Sequence, residues 1–375
     1  MLLNRSFRFA FVGLLIGAIS ACASGPEIPK PVDLGPNPAL LSVRLAWSTK
    51  LGTVDFPLQV KAAGGSVSVA SSDGSLVALN ARTGVEIWRT HVGAAISAGV
   101  GSDGRFAAVV TRSNELVVVD GGQHPWHVRL TSQVFTAPLV AGERVFVLGA
   151  DRSLSAFDAM TGQKLWQTQR PGDALILRQP GVLMAVGNTL IAGYSGHLVG
   201  VNPLNGNVIW DAQIATPRGT NDIERLVDLV AGVARQADTV CVRAFQATVG
   251  CVDAARGVVN WKKSASGSVG LQGDESQIYG IEEDGRLIAW RRADGESVWS
   301  SDRLRYHKLS APLVLGRSVV VGDESGFVHL LSRTDGSFVT RLVTDGSPIA
   351  VTPVAVDETL VVVTRNGGIF GFQPD

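Results

Sequence analysis

The chain has 375 residues, 45% of them apolar and 18% charged, with 43 glycines, 8 tryptophans and 3 cysteines. Its 33 Lys and Arg balance 33 Asp and Glu, so it lacks the basic footprint that nucleic acid demands. This Gly-rich, charge-poor composition fits a globular all-β chain, and beyond the N-terminus no stretch is apolar and long enough to span a bilayer.

The first 21 residues have the order of a secretory signal: Arg5 and Arg8, the apolar run Phe9 to Ile19, then Ser20 and Ala21 before Cys22. A cysteine at that point resembles the lipobox of bacterial lipoproteins, in which the Cys is acylated and becomes the mature N-terminus. The plain alternative is a secretory signal with an incidental Cys. Ala23, rather than Asp, follows Cys22, as in the outer-membrane class of such lipoproteins. Acyl chains anchor by burying methylenes at about 0.8 kcal/mol each. Residues 22–39 then form a tether, carrying Pro26, Pro29, Pro31, Pro36 and Pro38 and reading as an extended spacer.

From residue 40 to 375 the sequence is an array of repeats. Leu79-Asn80-Ala81-Arg82-Thr83-Gly84 leads to Trp88, and the phrase returns before Trp166, Trp210, Trp261 and Trp299. A degenerate copy runs Asp120-Gly121-Gly122 to Trp126, and another, Thr334-Asp335-Gly336, ends on Thr340 in place of Trp. Asn or Asp opens a tight turn, Gly closes it at positive φ, and Trp covers apolar surface on the strand that follows. The fixed offset keeps Trp on one face, since a slip of one residue would reverse it. Further strands end in Asp73-Gly74, Ser195-Gly196 and Ser325-Gly326, which are hairpin signals, and others open at Ala137-Pro138, Ala311-Pro312 and Thr352-Pro353. Each unit is thus four short strands in roughly forty residues, the blade of a β-propeller. The eighth unit is split: the chain ends at Gly371 to Asp375, and the missing outer strand is Leu45-Ala46-Trp47-Ser48. Pairing the N-terminal strand with the C-terminal blade closes an eight-bladed ring of four-stranded antiparallel sheets with no open edge. Seven blades is the alternative if the copy at Gly122 is not a blade.

No catalytic constellation, metal site or cofactor site emerges, so the chain reads as no enzyme. The histidines are scattered over the repeats, His124 and His127 sharing a segment without further ligands nearby, and Gly99 to Gly104 matches G-x-G-x-x-G without the following helix a nucleotide site needs, so it reads as a hairpin turn. Cys241 and Cys251 flank a hairpin in an exported chain and are candidates for a disulfide; the alternative is two buried thiols on opposite faces. The polar stretch Thr216 to Asp228 lengthens the spacing between two repeats, and a long connection in a compact array is commonly functional.

The repeat phrase resembles that of pyrroloquinoline-quinone enzymes, but the chain lacks their vicinal Cys-Cys pair. Signal, tether and eight blades together resemble the BamB family, the lipoproteins of the outer-membrane β-barrel assembly machinery, over essentially the whole chain. Leu175-Ile176-Leu177-Arg178 is similar to that family's Leu-x-Leu-Arg segment, and Asp222 to Asp228 to its acidic-Ile-acidic-Arg-Leu-x-Asp segment. A second Asp that the family can carry two positions on is Val230 here. The resemblance implies a non-catalytic scaffold at the periplasmic face of the outer membrane, aiding insertion of β-barrel proteins. It implies contact with the periplasmic domains of the barrel subunit BamA through Leu175, Leu177, Arg178, Arg225 and Asp228. Other lipoproteins of the complex, and unfolded outer-membrane proteins meeting strand edges, are the further partners implied. The alternatives are blade-strand packing for Leu175 and Leu177, and a solvated loop or internal salt bridge for Arg225 and Asp228. At the level of function they are a periplasmic ligand-binding propeller or a quinone-dependent dehydrogenase.

Overall fold

In the computed structural model, residues 29–172, 175–221 and 225–375 are described. The signal peptide, Cys22 and the segment Asp222 to Glu224 lie outside them. Val32–Asp375 forms one compact unit of eight four-stranded antiparallel sheets, an eight-bladed propeller. Blades 1 to 7 follow the chain: 61–91, 96–129, 139–169, 183–213, 229–264, 272–301 and 313–343. Blade 8 takes three strands from 354–374, and its fourth is Val43–Lys50. That strand runs antiparallel to Gly368–Pro374, from Val43 opposite Pro374 to Lys50 opposite Gly368. The copy around Gly122 forms a complete blade, so the ring has eight. The Gly99 motif is divided: Gly99, Val100 and Gly101 belong to the strand Ile96–Ser102, and the turn begins only after it.

The turn phrase acts as its chemistry dictates. Asn80 Oδ1 accepts the amides of Arg82 and Thr83, and Asp158 Oδ1 those of Met160 and Thr161. The closing glycine is left-handed, at φ +73° in Gly84 and +72° in Gly295. It also lies against a tryptophan of the preceding blade. A Cβ on Gly295 would fall 2.4 Å from the Trp261 ring, and one on Gly84 would fall 2.5 Å from Trp47. The indole N–H then donates to a carbonyl of the same turn: Trp47 to Ala81, Trp126 to Ala159, Trp166 to Pro203, Trp261 to Arg292, Trp299 to Arg333, all at 2.7–3.0 Å. Within its own blade each Trp is paired with a small or short side chain, such as Ala78, Ala156, Gly200, Cys251, Ala289 or Gly371.

Trp210 packs on its turn glycine with its indole N–H buried and without a partner among the described residues, and at the seam the indole itself is missing. Thr340 holds the Trp position in blade 7, and the neighbouring blade 8 has no turn to receive an indole, because the chain termini part there. The volume is returned within the blade, where Thr340 is paired with Leu330. The segment 32–40 lies across this place. Asn37 bonds both backbone groups of Arg341, its Nδ2 donating to the carbonyl at 3.0 Å and its Oδ1 accepting the amide at 2.9 Å. Leu40 N–H donates to Val339 O at 2.8 Å, Val32 N–H to Arg305 O at 3.1 Å and Arg341 Nη2 to Leu34 O at 2.8 Å. Leu34 packs against the apolar cluster that includes Leu304 and Leu331, as Trp299 and Phe338 also do.

In blade 5 the register sets Cys241 opposite Cys251. Both are buried, and a disulfide joins them. The polar interior of this side is also paired. The Arg243 guanidinium, fully buried, meets Glu282 at 3.2 Å, and Glu282 accepts Ser266 N–H and O–H.

Replacing Gly295 by Ala strains the backbone and drives a methyl into Trp261; urea unfolding is expected to show a loss of about 2 kcal/mol or more. Gly316, at φ +55° with nothing within 4 Å of an added Cβ, bears only the backbone cost, about 1 kcal/mol. Equal losses at the two sites would remove the Trp contact from the account. Removing both Cys241 and Cys251 by alanine is expected to cost about 2–3 kcal/mol in the same assay, as loop closure predicts for a short loop.

Candidate partner-binding rim

Two connections between blades make the site. One leaves the last strand of blade 3 at Gln169 and enters blade 4 at Leu183; the other leaves blade 4 at Gln213 and enters blade 5 at Leu229. Both are long for links between packed sheets, so each rises onto the rim and carries polar residues the blades have no use for. Leu175 to Arg178 are in such a connection and not in a blade strand, so their side chains are not committed to a blade face.

The connections are tied to each other. Leu177 N–H donates to Asp228 Oδ2 at 2.8 Å. Just behind, Gly181 and Val230 form an antiparallel bridge, and Ala231 N–H donates to Pro180 O at 2.8 Å. Gly181 N–H is taken by Thr136 Oγ1 at 2.9 Å. The Leu-x-Leu-Arg segment and Asp228, 51 residues apart, therefore form one surface. On it Leu175 is 42% exposed and Arg178 is exposed, with no hydrogen-bond or ion-pair partner among the described residues. Arg225 is exposed beside them. Leu177 is half-buried and lines, with Phe135, Leu148, Ile176, Tyr194 and Leu229, a cleft of about 60 Å³.

Asp228 is the polar pivot. Burial raises its carboxyl above the ordinary value, while the Leu177 amide and the Arg152 charge pull the other way. Half-buried acids of this kind stay in place because they hold a backbone donor that has no other partner. Arg152, Ser195 and Thr136 also shape the rim and carry no motif. The sequence signal for Arg152 is its place in the blade 3 hairpin, Asp151-Arg152-Ser153, where the blade 1 hairpin has Asp73-Gly74-Ser75. Among the described residues no group of three His, Cys, Asp or Glu side chains gathers as a metal site would.

An eight-bladed ring with indole-to-turn contacts is a propeller of the PQQ-like repeat class. Residues 72–301 match the family described as "Outer membrane protein assembly factor BamB", and the chain belongs to that family. The protein of that name from Burkholderia pseudomallei (strain K96243) is 34% identical over 367 residues, 96% of this chain and 95% of the relative. Its namesake from Bordetella pertussis is 34% identical over 375 residues, covering 98% and 97% of the two chains. The crystal structure of BamB from Moraxella catarrhalis has the same fold, with a TM-score of 0.80 at 22% identity over 88% of this chain and 99% of that one.

Replacing Asp228 by Ala leaves the Leu177 amide without its acceptor in a half-buried site. It is expected to cost about 1–3 kcal/mol, read by chemical unfolding. Asp228→Asn keeps an acceptor and loses a charge that burial penalises, so it is expected to be near neutral. The raised native value means the folded chain holds this proton at pH values where the unfolded chain has lost it. Stability therefore falls as pH rises from the unfolded carboxyl value through the native one, and the Asn variant is expected to flatten that part of the stability–pH curve.

Proposed function

We propose that the chain is a non-catalytic scaffold of outer-membrane protein assembly, held at the periplasmic face of the outer membrane by acyl chains on Cys22. Its rim binds the periplasmic part of BamA. The observation that carries this reading is the Leu177–Asp228 hydrogen bond. It brings both segments named by the family resemblance into one surface and leaves Leu175 and Arg178 pointing to solvent. An exposed leucine beside an unpaired guanidinium is the composition of an interface anchor: apolar area to desolvate, and a fork of donors for a partner's carboxylate or carbonyls. Arg225 and Asp228 border the same surface and complete the contact. Other lipoproteins of the complex, and unfolded outer-membrane proteins, are expected at surfaces away from this rim.

The test is recovery of BamA with the full-length protein from detergent-solubilised membranes. Arg178→Ala, with unchanged circular dichroism, is expected to lower recovery in line with a loss of about 2 kcal/mol, roughly thirtyfold in affinity. A wild-type protein that recovers no BamA would sink the scaffold reading. A variant that recovers it as well as wild type would remove Arg178 from the contact and leave the rest standing.

A further inference from the structure

Beneath the rim lies an arginine in a conformation that arginine rarely takes. Arg152 is at φ +63°, the left-handed region, and its side chain is turned inward so that the residue is only 7% exposed. A residue other than Gly pays for that region in conformational energy, and such residues persist where the surroundings hold them and use them. The surroundings here belong to three blades. Arg152 Nη2 donates to Ser195 Oγ in the hairpin of blade 4 at 3.0 Å. The Ser195 carbonyl accepts Leu229 N–H at 3.0 Å, where blade 5 begins. The Arg152 carbonyl accepts Arg170 N–H at 3.3 Å, where the first rim segment begins. The guanidinium lies against Gly172, and a Cβ built there would fall 1.8 Å from Nη1. Its charge also acts on the Asp228 carboxylate.

From this arrangement we infer that Arg152 is the positioning residue of the rim: buried beneath it, it ties Arg170 and Gly172 to the Ser195 hairpin and the start of blade 5, and so sets the separation that the Leu177–Asp228 bond requires. The inference rests on the rim being the contact surface proposed above, but its geometry is independent of any partner. Arg152 acts on the rim in two ways. Its charge offsets part of the burial that raises the Asp228 carboxyl. Arg152 also packs against Gly172, where any side chain would collide with the guanidinium. The other charged groups facing Arg152 are Asp151, which is occupied by Ser132 and Ser153, and Arg170, which is paired to Asp211 at 2.5 Å. Among the described residues, Asp228 is a carboxylate on which the Arg152 charge acts.

The test separates the positioning role from the partner. Hydrogen exchange is followed at the Leu177 amide in the full-length protein, with Val240 and Val242 in the blade 5 strand as internal references. In Arg152→Gln the Leu177 amide is expected to exchange about tenfold faster or more, with the references unchanged. Ser195→Ala removes only the hydroxyl acceptor and is expected to move Leu177 in the same direction by less; it serves as the reporter if the Gln variant does not fold. Leu177 protection that stays at the wild-type level in both variants overturns the inference. BamA recovery is measured on the same samples. Faster exchange at Leu177 with reduced recovery is the expected pair. Faster exchange with full recovery keeps the positioning role and overturns the proposal that this rim is the contact surface.

Discussion

Everything in this ring depends on one contact: an indole from the outer strand of one blade lying on the turn glycine of the next. A propeller has no core that runs through all its sheets, so blades must be joined pairwise. The indole supplies apolar area toward the neighbour and a donor for a carbonyl in the neighbour's turn. The turn supplies a left-handed glycine, which has no side chain to hold the ring away. The two halves of the joint sit in different repeats, and every repeat away from the seam carries both. That is why the motif recurs with so little variation in its spacing and so much variation elsewhere.

The seam shows the same logic by its absence. Where the termini part, no turn exists to take an indole, and the sequence has no indole there. Thr340 opposite Leu330 exchanges the large and small partners found in the other blades, so the packing volume inside blade 7 is kept. The lost inter-blade joint is made good by the segment entering the ring. Asn37 imitates a strand residue by bonding both backbone groups of Arg341, and Leu34 enters the apolar cluster that the Trp299 side already forms.

The ring was legible in the sequence because a repeat states its own period, and because the fixed Gly-to-Trp offset defines both a turn and a face. Closure was legible from the split eighth unit. Gly99 to Gly104 was less so: the pattern of glycines reads as a turn, whereas tertiary packing places its first four residues in a strand, where Gly101 passes so close to Pro138 that a Cβ would meet its carbonyl oxygen at 1.8 Å. The facing of Cys241 and Cys251 depended on a turn length that only the register discloses. At the rim, Leu175, Leu177, Arg178, Arg225 and Asp228 came from resemblance, and the sequence gives no hint that Leu177 and Asp228 meet. Arg152 was invisible, since its contacts join three blades and its one local sign is an arginine where a hairpin favours glycine.

The position of the rim relative to the seam has a mechanical consequence. In a ring of eight, blade 4 stands half a circuit from blade 8, and the two rim connections flank blade 4 while the chain enters across blade 7. If the anchor and the rim contact proposed above both bear load, tension between them would divide into two arcs, each running through a series of indole joints, and one of the two also crosses the segment 32–40. The two arcs are therefore unlike in kind: one is made of indole joints alone, while the other also relies on the Asn37, Leu34 and Leu40 contacts that stand in for an indole at the seam.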